Sequence, residues 1–125
     1  MNFVHIVALL AVAQFFVFGV LVGRARARYQ IAAPAVSGNA QFERVFRVQM
    51  NTLEQLAGFL PCLLIAGQYW SNLIVAAIGV VYLVGRQIYR QNYLVDPNRR
   101  HVGFVLTVVP TTVLFVMGLI GAVIG

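Results

Sequence analysis

Four apolar segments, Phe3–Val22, Phe42–Gln68, Leu73–Tyr93 and Val102–Ile124, take up most of this chain, and its arginines gather at one end of them. Each segment supplies the roughly 20 residues that a helix needs to cross a hydrocarbon layer about 30 Å thick. Helices are the elements such segments can form, because an open sheet in lipid would leave backbone groups unpaired. The composition agrees: 61% of the 125 residues are hydrophobic, well above a soluble domain of this size, and mean hydropathy is +0.86. The expectation is a single all-α integral membrane domain over 1–125, with helices at about 3–28, 42–68, 72–94 and 98–124 and a polar loop at about 29–41.

The connections mark the topology. Gly23–Gln41 carries Pro34 and the turn residues Ser37, Gly38 and Asn39. Gln68–Asn72 is a tight link whose Tyr69 and Trp70 suit an interfacial aromatic belt. Leu94–Arg100 turns at Asp96-Pro97, and Asp96 is placed to cap the fourth helix. Threading four spans this way puts both termini on one side of the membrane and Arg24, Arg26, Arg28, Arg44, Arg47, Arg86, Arg90, Arg99 and Arg100 on or near the other. By the positive-inside rule the arginine side is cytoplasmic. A net charge of +6 could suit nucleic acid, but arginines at the ends of apolar segments fit membrane topology and small anions better. The single Cys62 excludes an internal disulfide and a multi-cysteine metal site, and no metal is expected.

Topology alone requires arginines in loops, not along helices. On the second segment Arg44, Arg47, Asn51, Glu54 and Gln55 share one helical arc, while Gln49 points elsewhere. Glu54 lies about 10 Å deeper than Arg47 at 1.5 Å per residue, so its carboxylate must face protein or water. Tyr82, Arg86, Tyr89, Arg90 and Tyr93 form a matching face on the third segment. Together the two faces imply a basic, tyrosine-lined cleft open to the cytoplasm. Guanidinium groups outnumber the carboxylates there, which invites an anionic ligand rather than internal neutralisation. His5 and Gln14 on the first segment suit interhelical or interfacial hydrogen bonds, and Pro110 with Thr111-Thr112 suits a kink in the fourth helix.

The stretch FERVFRVQMNTLEQ (Phe42–Gln55) resembles the second-helix signature E-R-x-x-R-x-x-x-N-x-x-E of the membrane-associated proteins in eicosanoid and glutathione metabolism, the MAPEG family. VGRARARYQI (Val22–Ile31) is similar to the basic end of that family's first helix, and YLVGRQIYRQNYLVDPNRR (Tyr82–Arg100) to its third-to-fourth helix segment. The microsomal glutathione transferase branch is the most alike. The resemblance implies a homotrimer of four-helix subunits with glutathione as co-substrate, bound between neighbours near the cytosolic face. Carried over by position, Arg47, Asn51, Glu54, Tyr89 and Tyr93 line one subunit's share of the site. Arg26 and Gln49 come from the neighbour, with Arg24 and Arg28 competing for the first-helix role, and Arg100 falls where the family places its thiol-activating arginine, with Arg99 beside it. Gln55 stands where a tyrosine is expected, and the helix-2 proline is displaced to Pro61.

The activity so implied is conjugation of glutathione to hydrophobic electrophiles, with peroxidase action on lipid hydroperoxides alongside. The other reading is a non-catalytic lipid-binding or scaffold member. Nine arginines without a lysine, together with short termini, suggest a bacterial inner-membrane protein.

Overall fold

A computed structural model describes all residues, Met1–Gly125. Four long helices account for nearly the whole chain: α1 (Phe3–Tyr29), α2 (Ala40–Tyr69), α3 (Asn72–Val95) and α4 (His101–Ile124). Three begin at the side-chain caps that their sequences offer. Asn2, Asn39 and Ser71 accept from the backbone N–H groups of His5, Phe42 and Ile74 at 3.0, 3.0 and 3.4 Å. At the other end of α1, Gln30 takes a left-handed conformation with φ of 57°, which closes the helix before the loop.

The fourth helix starts differently from the expectation. A one-turn 3-10 helix, Pro97–Arg99, follows α3, and Asp96 caps that turn through Asn98 N at 3.0 Å. Helix α4 begins only at His101, with Arg100 at its N-cap position and no side-chain cap. Asp96 therefore does not cap α4. Proline is at home in the first turn of a helix, so the short turn forms where Pro97 stands.

The helices alternate in direction. α2 and α3 occupy the middle, with α1 packed on both from one flank and α4 on both from the other. The main core lies in the half of the bundle away from the arginines and joins Val4, Val7 and Ala11 of α1, Leu56, Phe59 and Leu63 of α2, Val75 and Tyr82 of α3, and Leu114 of α4. Tyr82 stacks on Phe59 with ring centroids 3.7 Å apart. Large apolar side chains also point outward, among them Leu9, Phe16 and Val20 of α1 and Val109, Phe115 and Val123 of α4. A soluble surface would not carry such a belt; a bilayer covers it.

α1, α3 and the stretch Pro97–Ile124 are long and apolar enough to cross a membrane, with mean hydropathies of 2.6, 1.5 and 2.2. α2 is longer, at 30 residues, but its polar arc lowers its hydropathy. The other helices cover Asn51 and Thr52 of α2, while Arg47 and Glu54 stay about half exposed. The protein is an integral membrane protein.

Polar ties hold both ends of the bundle. Where the termini lie, Asn72 accepts from Val4 N at 3.1 Å and donates to Met1 O at 3.2 Å, and Trp70 Nε1 donates to Met117 O at 2.7 Å. At the arginine end, Arg44 donates to Leu94 O and Val95 O, both at 3.1 Å. Those are the last carbonyls of α3, the negative end of its dipole, where a cation is favoured.

Between α3 and α4 the approach is closest at two glycines. A Cβ on Gly85 would lie 2.7 Å from the carbonyl carbon of Leu106, and one on Gly103 would collide with the Tyr89 backbone. Leu106 O is the carbonyl that Pro110 cannot serve, since proline lacks the N–H that an i+4 residue would donate. The Thr111 hydroxyl donates to Thr107 O at 2.9 Å, the next carbonyl along, and not to the one Pro110 frees.

Candidate functional site

The glycine contacts bring the N-terminus of α4 against the last two turns of α3, beside the polar arc of α2. A cavity of about 380 Å³ opens there, lined by Arg47 and Asn51 of α2, Tyr89 and Tyr93 of α3, and Arg100 and Phe104 from the start of α4. That volume falls in the range of small-molecule sites. Five of the residues singled out in the sequence thus meet, although they span positions 47 to 100.

Each wall is held by identifiable contacts. Arg47 Nη1 bridges to Glu54 Oε1 at 3.1 Å, two turns along the same face, and both side chains are about half exposed. The rings of Tyr89 and Tyr93 stack with centroids 5.5 Å apart. Arg100 donates from Nη1 to Pro97 O at 3.1 Å, a tether across the 3-10 turn. The uncapped N-terminus of α4 adds its partial positive charge beside Arg100. The result is a pocket with two guanidinium groups, two phenols, one amide and one aromatic edge. It can hold an anion with carboxylate groups and can favour a charged over a neutral form of whatever lies against Arg100.

Phe104 was not foreseen as part of the site. The available signal was its place one turn beyond Arg100 on α4, which puts both on one face. Glu54 reaches the site only through Arg47. Gln49 and Arg26 lie elsewhere. A Cβ on Gly19 would meet Gln49 Nε2 at 2.8 Å, so Gln49 faces α1 rather than the pocket. Arg26 donates to Ala35 O at 2.7 Å and to Ile31 O at 3.4 Å, with its guanidinium over the Phe42 ring, so it fastens the loop after α1. Arg24, Arg28 and Arg90 border a separate concavity of about 240 Å³ with Leu21, Tyr29 and Val45.

The third-helix face expected to line one cleft is divided. Tyr82 and Arg86 are completely buried, and Arg90 turns to α1, where its guanidinium lies over the Phe18 ring at 5.8 Å. α3 is flanked on three sides, so residues one turn apart meet different neighbours. Only Tyr89 and Tyr93 reach the pocket from α3.

A family model, described as MAPEG family, matches residues 4–120 of this sequence. The chain belongs to the MAPEG family. Across 92% of its length it is 44% identical to an uncharacterized protein of Synechocystis, covering 84% of that protein. It is 36% identical to the human protein named microsomal glutathione S-transferase 2 over 92% of this chain and 78% of the relative. Similarity extends to guinea-pig leukotriene C4 synthase, 38% identical over 70% of this chain and 58% of that enzyme. The MAPEG match spans all four helices and contains every residue of the pocket.

Proposed function

We propose that this MAPEG protein is a membrane-bound glutathione transferase. The observation that carries the reading is the meeting of Arg47, Asn51, Tyr89, Tyr93 and Arg100 around one cavity, in a chain whose relatives include proteins named for glutathione transfer. Glutathione has two carboxylates, an ammonium and a thiol. Arg47 forks onto a carboxylate, Glu54 receives the ammonium, and Asn51 and the two tyrosines hold the peptide and the cysteinyl arm.

A free thiol with a pKa near 8.5 is only a few per cent thiolate at neutral pH. Arg100 supplies a fixed positive charge at the sulfur. Lowering the thiol pKa by about 2 units takes roughly 2.7 kcal/mol, within reach of one guanidinium in a poorly hydrated site. The S–H proton passes to water, and the thiolate attacks an electrophilic carbon. A C–S bond forms as the leaving group departs with its electron pair. With a lipid hydroperoxide, sulfur takes the terminal oxygen, the O–O bond breaks to release the alcohol, and a second glutathione converts the sulfenic acid to disulfide and water. The apolar second substrate arrives through the lipid, past Phe104.

In this reading Arg26 and Gln49 complete the site from a neighbouring subunit of a homotrimer. Their places outside the single-chain pocket, and the half-exposed Arg47–Glu54 pair, support an interface there. The arginine-rich end faces the cytoplasm from a bacterial inner membrane; the relative in Synechocystis supports the bacterial setting. The deciding experiment assays purified protein in detergent for glutathione conjugation to a chloronitrobenzene and for reduction of a lipid hydroperoxide. Conjugation above the uncatalysed rate supports the reading. Inertness in both assays, with glutathione left unbound, removes it and leaves the lipid-binding scaffold.

A further inference from the structure

The largest fully buried side chain in this protein is charged. Arg86 is 0% exposed, at the level of the membrane-spanning helices and next to the pocket. Its Nη1 donates to Asn51 Oδ1 at 2.8 Å and to Thr52 Oγ1 at 3.3 Å, and its Nε to Thr107 Oγ1 at 3.0 Å. Its guanidinium carbon lies 4.3 Å from the centre of the Tyr89 ring, and Nη2 has no partner. None of these groups carries negative charge. The chain's three acids are engaged elsewhere: Glu54 with Arg47, Glu43 with Gly38 N, and Asp96 with Asn98 N. A buried guanidinium does not give up its proton, so a full positive charge lies in the bundle without a counter-ion.

Two of its contacts, Asn51 and Tyr89, are walls of the cavity. Arginine has donors and no acceptor, so the Asn51 amide must turn its oxygen inward to Arg86. Its NH₂ group is left free for the pocket. The two threonines fix the guanidinium from behind. Thr52 donates its own hydrogen to Val48 O at 2.7 Å and Thr107 to Gly103 O at 2.8 Å, which leaves their lone pairs for Arg86. No rotation of these side chains is left unassigned.

We propose that Arg86 is a positioning residue for the anionic ligand: it sets Asn51 as a donor toward the pocket, and its uncompensated charge makes the ligand's own anion its counter-ion. The inference rests on the transferase reading, with bound glutathione thiolate as the anion. The charged and titratable groups around the pocket are Arg47 and Glu54 on α2, Tyr82, Tyr89 and Tyr93 on α3, and Arg100 before α4. Only Arg86 among the cations is wholly buried, so its field is the least screened by water.

The test titrates the ultraviolet thiolate absorbance of glutathione bound to the full-length protein in detergent. Arg86→Met is expected to raise the ionisation midpoint by about one pH unit, a tenfold smaller thiolate fraction below the midpoint; a unit charge exerts this over roughly 10 Å at an effective dielectric constant of about 20. Thr52→Asp keeps Arg86 in place and supplies the missing counter-ion, so the midpoint rises in the same direction. Arg86→Lys keeps the charge and leaves the midpoint near wild type, while glutathione binding weakens several-fold because a single ammonium nitrogen cannot stand where both Nε and Nη1 donate, to Thr107 and to Asn51. A folded Arg86→Met protein with an unmoved midpoint overturns the inference. If that variant does not fold, an unmoved midpoint in Thr52→Asp overturns it. Absence of any thiolate band in the wild type sinks the transferase reading instead, before the variants are compared.

Discussion

Gly103 of α4 lies against the backbone of Tyr89 on α3 so closely that a Cβ would overlap its N and Cα atoms. This contact sets how far the start of α4, with Arg100 and Phe104, stands from the tyrosine pair. Gly103→Val is expected to destabilise the bundle by about 3 kcal/mol, the upper range for overpacking. It also opens the pocket. Thermal unfolding in detergent reads the first effect and glutathione affinity the second. Wild-type values of both would show that this contact limits neither the stability of the bundle nor the width of the pocket.

Arg100→Ala removes the guanidinium assigned to the thiol while leaving Arg47 for the carboxylates. Conjugation should fall about 100-fold, corresponding to roughly 2.7 kcal/mol of thiolate stabilisation. Glutathione affinity should change by less than about threefold. The comparison pairs steady-state kinetics with equilibrium binding, and unaltered turnover would take Arg100 out of the reaction.

Arg47→Ala acts on binding. Losing one charge-assisted contact costs about 2 kcal/mol, so the KM for glutathione should rise roughly 30-fold with kcat far less affected. An equal fall in both parameters would place Arg47 at the sulfur rather than at a carboxylate.

Trp70→Phe serves as a remote control. The Nε1–H of Trp70 donates to Met117 O at the end of the bundle opposite the pocket. Stability should drop by about 1 kcal/mol, the net worth of one hydrogen bond. Kinetic constants should stay at wild type, and a change in them would mean that the two ends are coupled.

Subunit mixing tests the shared site. If Arg47 and Gln49 serve one ligand from different subunits, neither an Arg47→Ala nor a Gln49→Ala homo-oligomer has an intact site. Co-assembly of the two restores roughly a quarter of the sites by random mixing. Activity in the mixture no greater than the average of the parents would place both residues within one subunit or remove Gln49 from the site.

Helix number and direction were legible because apolar length and arginine placement are local properties of the chain. The caps at Asn2, Asn39 and Ser71 follow from side chains that reach their own backbone. The arc of Arg47, Asn51 and Glu54 was legible for the same reason, since residues at helical spacing share a face whatever surrounds them. The family signature then linked that arc to Tyr89, Tyr93 and Arg100 on other helices. Asp96 misled, because the residue that caps depends on whether a 3-10 turn forms before α4. Arg86 misled more deeply. It shares helical spacing with Tyr82, Tyr89 and Tyr93, and nothing in that spacing distinguishes a side chain lining a cleft from one walled in by Asn51, Thr52 and Thr107.

By itself the sequence determined that this chain spans a membrane as helices, with its guanidinium groups at one end, because hydropathy and charge act segment by segment. Only the tertiary structure decided which cations reach a cavity and which one is sealed beneath it. That outcome turns on how closely α3 and α4 approach at Gly85 and Gly103, a distance set between helices and written in neither of them alone.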